Sequence, residues 1–243
     1  YDSAEEFCSS LEQAVQDNDP VRMAKREEIA RENTWEHRFE QLRAATSKLY
    51  PKASIIVVSY ESLEVLRECV SSIFSNTYYP NYELIIVDNA SSLPVRAYLQ
   101  ALGAASPRVK LIQNEENKGF AAANNQGLAL AADAEYFVLL NNDTVCPPGW
   151  LSRLLHYASK PDVGAVGPVT NSIGNEAQIA VSYADPKQMY PFVQQLMHDY
   201  LGECFDIPVL AMFCMAMRRE VFEKVGFLDE RFKVGMFEDD DYA

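Results

Sequence analysis

Asp143 is the residue best placed to do chemistry, because an apolar run, Tyr136-Phe137-Val138-Leu139-Leu140, stops on Asn141-Asn142-Asp143. Its carboxylate and the Asn142 amide oxygen are hard ligands suited to Mg²⁺ or Mn²⁺, which take few protein oxygens and fill the rest with phosphate and water. An isolated Asn-Asn-Asp ahead of Pro147-Pro148-Gly149 is ordinarily a turn. Position raises the metal reading: such a run belongs in a sheet core, and ligands of open α/β sheets gather outside the carboxyl ends of strands. A second acidic cluster, Glu238-Asp239-Asp240-Asp241, lies near the end of the sequence and, on composition alone, is a solvated acidic segment.

Other segments share the placement of Asp143. Val57-Val58-Ser59-Tyr60 closes an earlier apolar run, which puts Tyr60 on a sheet rim where its ring can stack on a base. Taken alone, Tyr60 reads more simply as a core tyrosine with its hydroxyl satisfied. Asp88-Asn89-Ala90-Ser91-Ser92 closes the next run and serves equally as a helix cap, an Asx turn or a ligand contact. Asn114 to Asn124 contains Lys118-Gly119-Phe120 and opens a helix of small residues. Gly119 permits close backbone approach, and a helix start beside Lys118 suits a phosphate. The segment lacks the glycine spacing of a dinucleotide fingerprint or a P-loop, and a plain helix entry packed by alanines also accounts for it.

The elements that must position these residues follow from period. Strands are expected at 54–58, 82–87, 109–112 and 136–140, each rich in β-branched or aromatic residues. Between them, Leu63, Leu66, Val70, Ile73 and Phe74 form one apolar helical face, and Phe120, Ala123, Gly127, Leu128 and Ala131 another. Strands alternating with such helices imply an α/β fold paired in parallel through right-handed crossovers. Beyond Asp143 we expect a helix at 150–159, a short strand at 163–166, a loop at 171–175, a helix at 188–200, a strand at 209–217 and a helix at 219–225. Residues 1–50 read as a helical segment of two helices broken near Asn18-Asp19-Pro20. Trp35, Phe39 and Leu42 recur there at helical spacing among charges, and Pro51 ends the segment.

Composition bounds the partners. The 243 residues are 48% hydrophobic, enough for one large domain with an appendage. No apolar stretch approaches the roughly 20 residues that span a bilayer, and the start has no signal-peptide pattern. It also lacks an initiator Met, as an excised piece of a longer chain would. Five scattered cysteines without Cys-x-x-Cys spacing argue against a disulfide framework or zinc site and for a reducing, cytoplasmic compartment. With 21 Lys+Arg against 35 Asp+Glu, a net charge of −14, nucleic acid and anionic membranes are disfavoured partners. A phosphate-bearing ligand then needs a cation held by carboxylates.

In order along the chain, Val-Ser-Tyr, Val-Asp-Asn-Ala-Ser, Asn-Lys-Gly-Phe-Ala-Ala-Ala-Asn-Asn, Leu-Asn-Asn-Asp, Pro-Gly-Trp and Phe-Glu-Asp-Asp-Asp-Tyr resemble the family-two nucleotide-sugar glycosyltransferases. The resemblance covers residues 53–243. It implies the GT-A (Rossmann-like) fold over 51–243, a mixed, mainly parallel sheet with helices on both faces. The donor site it implies contains Val58, Tyr60, Asp88, Lys118, Gly119, Asn142 and Asp143. Tyr60 and Asp88 would meet base and ribose, and Asp143 would hold a diphosphate-bound Mn²⁺ or Mg²⁺. Asn141-Asn142-Asp143 would match the family's Asp-x-Asp signature, with Asn in place of its first carboxylate. Glu238-Asp239 would match the Glu-Asp pair whose second member is the catalytic base, leaving Glu238 and Asp241 as acceptor-side candidates.

The implied reaction is inverting transfer of a sugar to a glycan, lipid-linked or protein acceptor, in bacterial surface polysaccharide synthesis. Its expected setting is the cytoplasm or the inner face of the cell membrane. Family members continue past the Glu-Asp pair with a helix and often a His that completes the metal shell; none of His37, His156 or His198 fits that place. We therefore expect a domain truncated at its carboxyl-terminal end, with further domains in the parent chain. One rival reading is a sugar nucleotidyltransferase, whose Gly-rich loop with Arg and Lys is not what Tyr60-Glu61-Ser62 offers. The other is a non-catalytic nucleotide-binding or scaffolding module.

Overall fold

Local capping divides the amino-terminal sequence more finely than its apolar spacing does. Asp19 caps one helix by accepting from the Val21 amide at 2.9 Å, with Pro20 in its first turn. A second break falls at Asn33-Thr34: the Asn33 side chain donates to Ile29 O at 2.7 Å, and Thr34 Oγ1 accepts from the His37 amide at 3.3 Å. The segment is therefore three helices rather than two: α1 (Ala4–Gln16), α2 (Pro20–Glu32) and α3 (Trp35–Ser47). This computed structural model describes residues 3–16, 19–47, 49–232 and 238–242. Asn18, part of the expected break, lies outside them. The chain divides into two compact units, Tyr1–Leu49 and Tyr50–Ala243. In the first, α1 and α2 bury no residue, and Trp35, Phe39 and Leu42 of α3 are exposed.

In the second unit, continuous apolar runs make β1 (Ala53–Ser59), β2 (Tyr82–Asp88), β3 (Val109–Gln113) and β4 (Tyr136–Asn141), paired in parallel. They join β5 (Ala165–Val166) and β6 (Cys214–Arg218) in one sheet of order β3-β2-β1-β4-β6-β5. Strand β6 runs antiparallel to both β4 and β5, so the sheet is mixed. The central strands are buried on both faces, as continuous rather than alternating apolar runs demand. Ile55, Val57, Leu84, Ile86 and Val138 pack one face against α4 (Leu63–Asn76), α5 (Leu93–Ala105) and α7 (Trp150–Ala158). Ile56, Ile85, Val87, Phe137 and Leu139 pack the other against α6 (Phe120–Leu130) and α9 (Arg219–Val225). Helix α6 lies close on β1 because residue 127 is glycine: a Cβ there would stand 2.4 Å from Ile56 Cγ2.

Two expectations change. The strand expected at 209–217 begins only at Cys214, because its partner ends: Leu140 pairs with Cys214, and β4 finishes one residue later. The strand expected at 163–166 keeps only Ala165 and Val166. The remaining described helices are α8 (Pro186–Asp199), capped by Asp185 through the Lys187 and Gln188 amides, and α10 (Glu238–Tyr242).

Candidate active site at the sheet rim

Register brings the sequence-predicted residues to one level. Ser59 pairs with Asp88, Asp88 with Gln113, and Val58 with Asn141, so β1 to β4 end together. From β1 the connections run outward through α4 and α5, and α6 then returns the chain to β4 on the far side of β1. The order reverses between β1 and β4, which is where open α/β sheets bind ligands. Val58 is half-buried near the end of β1, and Tyr60, just beyond that strand, is 52% exposed. That exposure removes the core-tyrosine reading.

Between Tyr60 and α4 the backbone takes two consecutive left-handed residues, Glu61 (φ 55°) and Ser62 (φ 52°), with Ala90 (φ 68°) facing them at the end of β2. Left-handed backbone is costly for residues with a Cβ and persists only where surroundings impose it. Here Glu61 joins the two turns by hydrogen bonds. Its carboxylate accepts from Ser92 N at 2.9 Å and Ser92 Oγ at 2.6 Å, and its amide donates to Ser91 Oγ at 3.0 Å.

Asp88 is fully buried and already engaged. Its Oδ1 accepts from the Ser91 amide at 3.0 Å, and its Oδ2 lies 3.4 Å from Arg96 Nε. Arg96 donates in turn to Asn114 O at 2.7 Å, carrying the charge pair towards the third rim loop. Asn89 joins the same loops: its Oδ1 accepts from the Lys118 amide at 2.9 Å and Asn114 Nδ2 at 3.1 Å, while its Nδ2 reaches Asn117 Oδ1 at 2.7 Å. These bonds fix Gly119, which starts α6 at φ 86°, and leave the Lys118 side chain exposed. Glu61, Asn89, Arg96 and Asn114 thus hold a site that sequence reasoning built from their neighbours. Local density of Asn, Asp and Ser signalled Asn89 and Asn114, and nothing in the sequence signalled Arg96.

Just past β4, Asn142 is half-buried and Asp143 exposed, in a turn closed by Thr144 N donating to Asn141 O at 3.3 Å. Beneath it the buried Cys69 thiol approaches Asn141 O at 3.6 Å. Burial first, and the Asp143 charge in addition, push that thiol up to about 12, so it stays protonated. Among the described residues no group of three His, Cys, Asp or Glu is arranged to hold a metal ion. The oxygen donors this rim offers a cation are the Asp143 carboxylate and the Asn142 amide oxygen.

The acidic helix α10 is tied elsewhere. Tyr242 donates to Gly226 O at 2.8 Å and meets Met217 Sδ at 3.6 Å, while Asn125 of α6 grips Leu228 through both its amide and carbonyl at 2.9 Å. Glu238 is half-buried with a carboxylate oxygen lacking a hydrogen-bond partner among the described residues, and Asp241, exposed, acts electrostatically on Arg231. The Asp239 side chain and residues 233–237, which include Gly235-Met236-Phe237, lie outside the described residues. Cavities of about 460 Å³ beside Arg153 and Tyr157 and about 730 Å³ along 173–180 do not include the rim residues.

A sheet of this order with ligand-type side chains at the ends of β1, β2 and β4 defines an α/β domain of the GT-A class. The family model described as glycosyl transferase family 2 matches residues 54–226, and the chain belongs to that family. The match stops short of α10. The O-antigen biosynthesis protein RfbC of Myxococcus xanthus is 30% identical over 204 residues, which are 76% of this chain and 15% of that protein. The chain thus spans a small part of that relative's length. Its fold is similar to that of mannosyltransferase PcManGT from Pyrobaculum calidifontis, solved with GDP-Man and Mn²⁺ (TM-score 0.56, 22% identity, 76% of this chain and 49% of that one). It is also similar to GalNAc-T7, solved with UDP, GalNAc and Mn²⁺ (TM-score 0.59, 17% identity, 79% and 40%).

Proposed function

We propose that residues 51–243 are the donor-binding and catalytic domain of an inverting glycosyltransferase that uses a nucleotide sugar and a divalent cation. The observation that carries this reading is the shared rim: Tyr60 follows β1, Asp88 ends β2, Gly119 opens α6 and Asp143 follows β4, around the point of strand-order reversal. Tyr60 offers a face for the base, and Asp88, buried and held by Arg96 and the Ser91 amide, shapes the turn on the ribose side. The amides opening α6, with Lys118, suit the diphosphate. Asp143, assisted by Asn142, would hold Mn²⁺ or Mg²⁺, which would supply positive charge against the leaving diphosphate. Asp239 is the base that takes the acceptor hydroxyl's proton while that oxygen attacks the anomeric carbon. Glu238 and Asp241 lie on the acceptor side.

The acceptor is a glycan, lipid-linked or protein hydroxyl in bacterial surface polysaccharide synthesis, a reading supported by the name of the Myxococcus relative. The setting is cytoplasmic or at the inner face of the membrane, supported by five free cysteines. No helix among the described residues is long and apolar enough to cross a membrane. Residues 1–50 are a helical N-terminal segment or linker to this domain.

A thermal-shift screen of nucleoside diphosphates and their sugars, each with and without Mn²⁺, tests the reading. One nucleotide should raise the melting temperature strongly only with metal, since stabilisation follows ligand concentration over Kd. A chain stabilised by no nucleotide under either condition is not a donor-binding domain.

A further inference from the structure

We propose that Glu61 is a positioning residue for the donor site: its carboxylate fastens the β1 rim to the β2 rim and so fixes where Tyr60 and Asp88 stand. The inference rests on the donor-site reading above. Among the described residues the Tyr60 hydroxyl has no hydrogen-bond partner, and its ring is mostly exposed. Tyr60 is therefore aimed by its backbone, and that backbone continues directly into the left-handed pair Glu61-Ser62.

The bonds form a closed circuit. The end of β1 accepts from β2 through Asn89 N to Ser59 O at 2.8 Å, and Ser91 returns to Asp88 Oδ1 at 3.0 Å. Glu61 completes it, with its amide on Ser91 Oγ at 3.0 Å and its carboxylate holding both polar groups of Ser92. Hydrogen bonds to an ionised acceptor are the stronger kind, which suits them to hold a backbone that is otherwise unfavourable. Three left-handed, non-glycine residues meet at this one pair of turns, and strain of this sort collects where a site must be held in shape.

The fold does not depend on the staple. Leu66, Val70 and Ile73 of α4 and Leu84, Ile86 and Val87 of β2 are buried in the core and already fix both elements. Glu61 is half-buried and Ser92 exposed, so water can satisfy Ser92 once the carboxylate is gone. What is lost is preorganisation: Tyr60 and the Asp88 turn must then be ordered by the ligand at the cost of affinity.

The test compares the unmodified chain with Glu61→Ala and Glu61→Gln by titration calorimetry with UDP, GDP and pyrophosphate, all with Mn²⁺, and by amide exchange at Ser92 without ligand. Glu61→Ala should weaken the preferred nucleotide by about tenfold, leave pyrophosphate within about twofold, and speed exchange at Ser92 with little change in melting temperature. Glu61→Gln keeps an oxygen for the Ser92 amide and should restore most of the affinity. Undiminished nucleotide affinity in Glu61→Ala overturns the proposal while leaving the donor-site reading standing. Equal losses for nucleotide and pyrophosphate with a falling melting temperature overturn it in favour of a structural role. An unmodified chain that binds neither nucleotide overturns the donor-site reading and the proposal together.

Discussion

At the scale of single residues, the proposed site assigns binding and chemistry to different carboxylates, and substitutions can separate them. Asp143 and Asp88 stand at strand ends, whereas the acidic helix α10 is reached through another part of the chain and is tied through Tyr242 to Gly226 and Met217. A base acts on the acceptor hydroxyl rather than on the donor. Asp239→Asn in the full-length protein should therefore leave nucleotide-sugar affinity nearly intact and lower sugar transfer by about 10²–10⁴. Glu238→Gln and Asp240→Asn are the neighbouring controls; transfer lost in one of them but kept in Asp239→Asn would shift the register of the motif. Asp88 was legible from its place after an apolar run, but its partner was not. Arg96 lies on a helix face, and nothing in one sequence says which strand-end carboxylate an arginine on a crossover helix will meet.

At the scale of elements, packing against β1 decides how α6 delivers Gly119 to the rim. Alanine at position 127 would gain about 1 kcal/mol in helix propensity. Its Cβ would also stand 2.4 Å from the Ile56 branch, and a β-branched core side chain has little rotamer freedom to yield. Overpacking of this kind costs about 1–3 kcal/mol, so Gly127→Ala should be destabilising on balance, by about 1 kcal/mol in urea unfolding. A more stable variant would mean that α6 can lift from the sheet. The central strands were legible because buried parallel strands are continuous apolar runs with polar ends. The pattern assigns nothing to 93–105, where Pro94 obscures the start of α5, yet proline in the first turn is compatible with a helix. The extent of β6 depends on where β4 stops, and that is a fact of pairing rather than of composition. The break at Asn33-Thr34 was readable in principle, since both residue types cap helices, but two adjacent helices of similar composition mask it.

At the scale of the whole molecule, a net charge of −14 opposes any diphosphate, while the proposed site must bind one. The two facts are compatible if the nucleotide enters as a metal complex on Asp143, and salt distinguishes this from a site built on Lys118. Screening lengths fall from about 10 Å at 0.1 M to about 3 Å at 1 M ionic strength. Without metal, raising the salt should weaken the long-range repulsion and leave nucleotide affinity unchanged or about twofold higher. With Mn²⁺, the attraction between the cation and Asp143 is screened instead, and affinity should fall about two- to fivefold over the same range. Asp143→Ala should remove the metal's contribution, so that the two conditions give one common, weak and salt-tolerant affinity by calorimetry. If the metal-free affinity of the unmodified chain instead dropped steeply with salt, Lys118 and the α6 terminus would be holding the phosphates by themselves, and Asp143 would lose its assignment as the cation's anchor.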